Sequence, residues 1–143
     1  MGDVRVRISV RDDQNKYLTV WPAALDAWYL CVGPVDDQRG TEWIVRDIPG
    51  TTSKLLIKDG AAGSGDVVTW VGGYPDHILV RPYRPGWDEQ VVKFDELDGG
   101  YVAINNHDKT RVMDRSMGPT DQPFVISFRW NAGANQQWFL RDH

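Results

Sequence analysis

The side chains with chemistry to offer are three histidines, one cysteine, an acidic cluster and a dense set of aromatics. His77, His107 and His143 stand far apart, without the close spacing that metal ligands need, so neither a metal nor a cofactor is expected. No serine lies in a Gly-x-Ser-x-Gly turn, and the glycine stretch from Gly60 to Gly65 lacks the Lys-Ser/Thr of a phosphate-binding loop. Asp95, Glu96 and Asp98 resemble the paired carboxylates of a glycosidase in type, yet neighbours at a strand end point apart and read better as a solvated turn. Cys31 sits within the apolar run Trp28 to Val32, where a small side chain packs, and a single cysteine forms no internal bridge. Catalysis therefore finds no set of residues, and the chain is not expected to be an enzyme. Binding finds more. Trp70, Tyr74, Tyr83 and Trp87 crowd into Gly- and Pro-rich surroundings, a density suited to stacking against a glycan.

Strands must position these groups. Val4, Val6, Ile8 and Val10 alternate with Arg5, Arg7 and Ser9, the two-residue period of a strand with one buried face. Short β-rich runs follow at Tyr17 to Val20, Trp28 to Val32, Trp43 to Val45, Leu55 to Ile57, Val67 to Val71 and Ile78 to Val80. Five more lie at Val91 to Phe94, Tyr101 to Ile104, Arg111 to Met113, Phe124 to Phe128 and Trp138 to Leu140, making twelve. Between them Gly, Pro, Asn and Asp cluster at Asp12 to Asn15, Gly33-Pro34, Gly72-Gly73, Asp98 to Gly100 and Asn105 to Asp108, where hairpins turn. Helical periodicity is absent.

The twelve runs fall into three pseudo-repeats of four, 46 to 49 residues apart, roughly 1–48, 49–97 and 98–143. One such unit cannot bury its apolar face alone. Three associating around a shared core, with six strands closing a barrel and three hairpins capping it, leave no bare sheet edge. The expected fold is thus an all-β, β-trefoil domain covering 1–143. A propeller needs at least about four blades, and a sandwich is the remaining alternative.

Composition agrees with one such domain. The hydrophobic content of 41% supplies a core without metal or disulfide staples. Sixteen basic against twenty acidic residues give a net charge of −4, with no basic run to track a phosphate backbone, so nucleic acid is not expected as a partner. The first residues alternate charged and apolar instead of forming a signal segment, and Gly2 is followed by Val6 where a myristoylation motif has Ser or Thr. No run is long enough for insertion into a membrane. A cytoplasmic protein is expected, with unconventional export as an alternative, acting as a monomer or weak homodimer.

Gln136-Gln137-Trp138 matches the Gln-x-Trp signature of ricin B-like lectins, and the third repeat as a whole resembles one of theirs: Ile104-Asn105-Asn106, Lys109 to Asp114, Val125 to Phe128, Asn131, then Gln-x-Trp. The first repeat ends in Thr41-Glu42-Trp43 and the second in Gln90-Val91-Val92, each keeping half the signature. The chain thus resembles a divergent, fungal-type member of that family. The resemblance implies a sugar site in the third repeat. Asp114 falls at the family's acidic position, where a carboxylate accepts hydrogen bonds from two adjacent hydroxyls. Asn131 falls where the family's Asn is expected, Phe124, Phe128 and Trp130 are candidates for the stacking ring, and Gln136 belongs to the signature. Thr19 and Thr69 occupy the acidic position in the other repeats, so at most one site of this type is expected. The implied partner is a glycan or glycoprotein.

Two alternatives involve a protein partner. The chain is similar in size to fungal trefoil protease inhibitors such as the mycocypins, for which the loops at Asp36 to Thr41, with Arg39, and at Asp108 to Arg111 are candidates. Arg84 is a poor one because Pro85 follows it. Lectin-like trefoils also serve as noncatalytic subunits of enzymes.

Overall fold

In the computed structural model, residues 3–24, 26–71, 77–115 and 124–142 are described. Gly2, Gly72-Gly73, Tyr74 and His143 lie outside them. The apolar alternation produces strands where it predicts them. In the first repeat these are β1 (Val4–Val10), β2 (Asp13–Ala24), β3 (Ala27–Gly33) and β4 (Glu42–Asp47). The second has β5 (Lys54–Asp59), β6 (Val67–Trp70), β7 (Ile78–Arg81) and β8 (Lys93–Glu96). The third has β9 (Val102–Asn105), β10 (Val112–Arg115), β11 (Val125–Phe128) and β12 (Trp138–Asp142). The only helical pieces among the described residues are three 3-10 turns of three residues each, at Asp88–Gln90, Asp98–Gly100 and Ala134–Gln136. None is long and apolar enough to cross a membrane.

Strand pairing closes a ring of six. β1 pairs β4, β4 pairs β5, β5 meets β8 through the Lys54–Val92 bridge, β8 pairs β9, β9 pairs β12, and β12 returns to β1. The remaining strands form the hairpins β2–β3, β6–β7 and β10–β11, one from each repeat. This is a β-trefoil. The ring satisfies backbone groups that an open sheet would leave bare.

The core is filled from all three repeats, including Ile8, Leu18, Leu56, Val68, Ile104 and Met113. Trp43, Val92 and Trp138 take equivalent places within it, each fully buried. Burying an indole is favourable for its apolar area, but the N–H costs free energy unless it finds an acceptor. Trp43 Nε1 donates to the Leu18 carbonyl at 3.0 Å and Trp138 Nε1 to the Met113 carbonyl at 3.1 Å, each to the repeat's own second strand. Val92 is smaller and has no donor. In that repeat Trp70, also in the core, donates to the Val91 carbonyl at 3.0 Å instead.

The hairpins meet around the pseudo-threefold axis. Tyr29, His77 and Phe124 occupy equivalent positions, with ring centroids 4.7 to 5.3 Å apart. Bridges follow the same cyclic order: Tyr29 faces Leu79, His77 faces Ile126 and Phe124 faces Cys31. Cys31 itself is buried, and burial pushes its thiol up to about 12, which keeps it protonated and inert.

Candidate functional site

Asp114 lies on β10, and strand alternation turns Met113 into the core and Asp114 to the opposite face. The residue is nevertheless only 5% exposed. Two amides hold its carboxylate: Asn135 Nδ2 donates to Oδ1 at 2.9 Å and Gln136 Nε2 donates to Oδ2 at 2.7 Å. A carboxylate oxygen can accept more than one hydrogen bond. Each oxygen of Asp114 therefore keeps acceptor capacity for a hydroxyl donor, with its orientation already fixed.

Burial raises the Asp114 pKa above the ordinary value of 3.8, while the bonds from Gln136 and Asn135 and the charge of Arg115 pull the other way. Arg115 is drawn off by Asp12, with which it forms an ion pair. The carboxylate is thus oriented mainly by neutral donors.

Gln136 is fully buried and acts as a clamp on the loop before it. Its Nε2 also donates to the Arg129 carbonyl at 2.8 Å, and its Oε1 accepts from the Asn131 backbone N–H at 2.8 Å. The amide ties together β10, the end of β11 and the 3-10 turn at 134–136. Its signature position serves to place Asp114, and its own atoms are already occupied.

The structure therefore brings together two of the five residues the sequence points to, Asp114 and Gln136. Asn131 makes no hydrogen bond to Asp114: its Oδ1 accepts from the Gly133 N–H at 2.9 Å, closing a local turn. The asparagine on the carboxylate is Asn135, which the sequence reading passed over although it stands next to Gln136 in the chain. Trp130 is exposed but lines a depression with Asp95, Leu97, Asn105 and Lys109, which Asp114 does not line. Phe128 is half-buried, lies opposite Val112 and has the Arg129 guanidinium 5.8 Å from its ring. The residue directly across from Asp114 is Ile126. Phe124 belongs to the axial ring cluster.

The same clamp recurs without a carboxylate in the second repeat. Gln90 Nε2 donates to Thr69 Oγ1 at 3.2 Å and to the Pro82 carbonyl at 2.9 Å, and its Oε1 accepts from the Arg84 N–H at 2.7 Å. In the first repeat Thr41 is too short for this, and Thr19 Oγ1 donates directly to the Gly40 carbonyl at 2.6 Å. Neither position offers an ionised acceptor.

The basic side chains of the two candidate inhibitory loops are engaged. The Arg39 guanidinium lies 4.4 Å from the Trp21 ring and 3.7 Å from Asp37 Oδ2. Lys109 pairs with Asp95 at 2.6 Å, and the Asp95 carboxylate also accepts from Asn105. Among the described residues no group of three or more His, Cys, Asp or Glu side chains gathers as a metal site.

No protein-family profile and no curated protein matches the chain. Solved structures do. A designed threefold-symmetric protein, ThreeFoil, superposes with a TM-score of 0.81 at 23% identity, covering 97% of this chain and 99% of its own. A mosquitocidal holotoxin matches with a TM-score of 0.82 at 15% identity, over all of this chain but only 17% of the toxin. An exo-β-1,3-galactanase from Clostridium thermocellum matches with a TM-score of 0.79 at 19% identity, over 98% of this chain and 30% of the enzyme. At these identities the likeness is one of fold.

Proposed function

We propose that this chain is a carbohydrate-binding, lectin-like module that binds a glycan or glycoprotein through one ricin-type site built on Asp114. The observation that carries the reading is the buried carboxylate held between Asn135 and Gln136, with acceptor capacity left on both oxygens. Two adjacent hydroxyls are the natural donors to such a group, and amide orientation lowers the cost of ordering it on binding. The module acts by binding and catalyses no reaction. Its similarity to part of a galactanase and part of a holotoxin supports the further reading that it works as a noncatalytic unit of a larger assembly. The inhibitor alternative finds no comparable support, because Arg39 is folded back on Trp21 and Asp37.

A glycan array tests the proposal. Wild-type protein is expected to give a reproducible ligand. Asp114→Ala is expected to abolish its binding and Asn135→Ala to weaken it, the far-UV spectrum remaining unchanged in both. Each amide keeps a second acceptor, the Arg129 carbonyl for Gln136 and the Arg115 carbonyl for Asn135, so stability should change by less than about 2 kcal/mol. Full binding by Asp114→Ala would reject the site.

A further inference from the structure

Two aromatics of the second repeat, Tyr83 and Trp87, lie on a surface that Asp114 does not line, while Trp70 is in the core. Arg84-Pro85-Gly86-Trp87 forms a tight turn, with Gly86 at φ +80° and the Trp87 N–H donating to the Arg84 carbonyl at 3.3 Å. The Gln90 clamp fixes the same loop through the Arg84 N–H, and the Arg81 and Arg84 guanidinium groups lie 5.8 and 5.5 Å from the Trp87 ring. Tyr83, on the entry to this turn, is 47% exposed.

Tyr83 stands between two depressions of about 310 Å³ each and lines both, together with Leu55. The first lies over the place where β5 and β8 meet through one bridge, and is walled by Trp87, Asp88, Lys93 and His107. The second is walled by Arg46, Lys58, Asp59 and Ser64. A small apolar cluster of Leu55, Ile57 and Val67, backed by Ile44 and Ile48, forms a floor outside the main core. The result is a pair of adjoining depressions with the Tyr83 ring between them.

Two charges of the second depression are paired, and the third, Lys58, is fully buried. Arg46 makes a two-point contact with Asp3 at 2.9 and 2.8 Å, Asp59 pairs with Arg5, and Lys58 donates to the Gly60 carbonyl at 2.9 Å. In the first, Asp88 and Lys93 oppose one another in sign. Such a surface has no net preference for an anion or a cation, but it is rich in hydrogen-bonding groups around an apolar floor. β5 is paired on both sides, to β4 and, at Lys54 and Lys58, to Val92 and Asp66, so no strand edge is offered there to an extended peptide. An uncharged, polyhydroxylated chain fits: its ring faces lie on Tyr83 and Trp87 while its hydroxyls meet the walls.

We infer that the pair of depressions adjoining Tyr83 is a second carbohydrate site, binding a linear neutral oligosaccharide that spans both. It shares the carbohydrate reading above but none of its residues.

An array of immobilised neutral and charged linear oligosaccharides, probed with wild type, Asp114→Ala, Tyr83→Ala and Tyr83→Phe, tests it. Asp114→Ala is expected to retain a set of neutral ligands. Tyr83→Ala should weaken binding to that set by ~10-fold or more, and Tyr83→Phe, which keeps the ring, by no more than ~3-fold. Tyr83 is exposed, so neither change threatens the fold. Loss of every ligand from Asp114→Ala overturns the Tyr83 site and leaves the third-repeat site standing. Ligands kept equally by Asp114→Ala and Tyr83→Ala overturn the Tyr83 site as well. Loss from Tyr83→Ala of ligands that Asp114→Ala keeps supports it, and an array with no ligand for wild type overturns both sites.

Discussion

The proposed role of Asp114 sets two requirements against each other, burial and availability to a ligand. Burial leads its pKa upward, so the folded state holds its proton more tightly than the unfolded chain does. The group's contribution to stability is therefore present below the unfolded value and lost as pH rises through the folded one. Ligand binding runs the opposite way, because the protonated acid loses acceptor capacity. The stability of wild type relative to Asp114→Ala is expected to fall from acid toward neutral pH while glycan affinity rises over the same window. Denaturant midpoints of both proteins and ligand titrations across pH measure this, and parallel profiles for the two proteins would contradict it. Gln136 was legible from the Gln-x-Trp signature and Asp114 from the acidic position that the resemblance implies. The sequence did not show that Asn135 would supply the second amide and Asn131 would close its own turn, since both are asparagines of one loop and only the 3-10 turn decides which faces β10.

At the scale of elements, the strands were legible and the loops were not. Period-two alternation and punctuation by Gly, Asn and Asp located all twelve strands, because the physics of a half-buried strand is local. Trp130, a candidate stacking ring in the sequence, lies beyond β11, which ends at Phe128, so strand alternation does not set its direction. What fixes the loops is the buried Gln, a long-range device that joins a strand to a carbonyl and an N–H of the loop. Gln90→Ala and Gln136→Ala each remove three such bonds and are expected to destabilise the protein by about 2–4 kcal/mol. Only Gln136→Ala should also reduce binding at Asp114. Chemical denaturation alongside ligand titration checks the pair, and equal loss of Asp114-dependent binding in both would show that the loops do not act separately.

For the whole molecule, threefold pseudosymmetry means that one architecture is solved three times with different side chains. The repeats share ring strands, an axial cluster of Tyr29, His77 and Phe124, and core positions at Trp43, Val92 and Trp138. Their spacing of 46 to 49 residues was readable because each repeat must present its apolar groups to the same axis. The exchange of Trp for Val at residue 92 was readable, but not the turn of Trp70 toward Val91 that accompanies it. The clamp at Gln90 has a further consequence for engineering. It maintains in the second repeat a donor aimed at Thr69 as Gln136 is aimed at Asp114, so the clamp is present with and without a carboxylate. Glu89 stands where Asn135 stands in the third repeat. Grafting T69D together with E89N should then raise the valency of the module by one and let it crosslink multivalent glycoproteins, a gain that precipitation or light scattering would register.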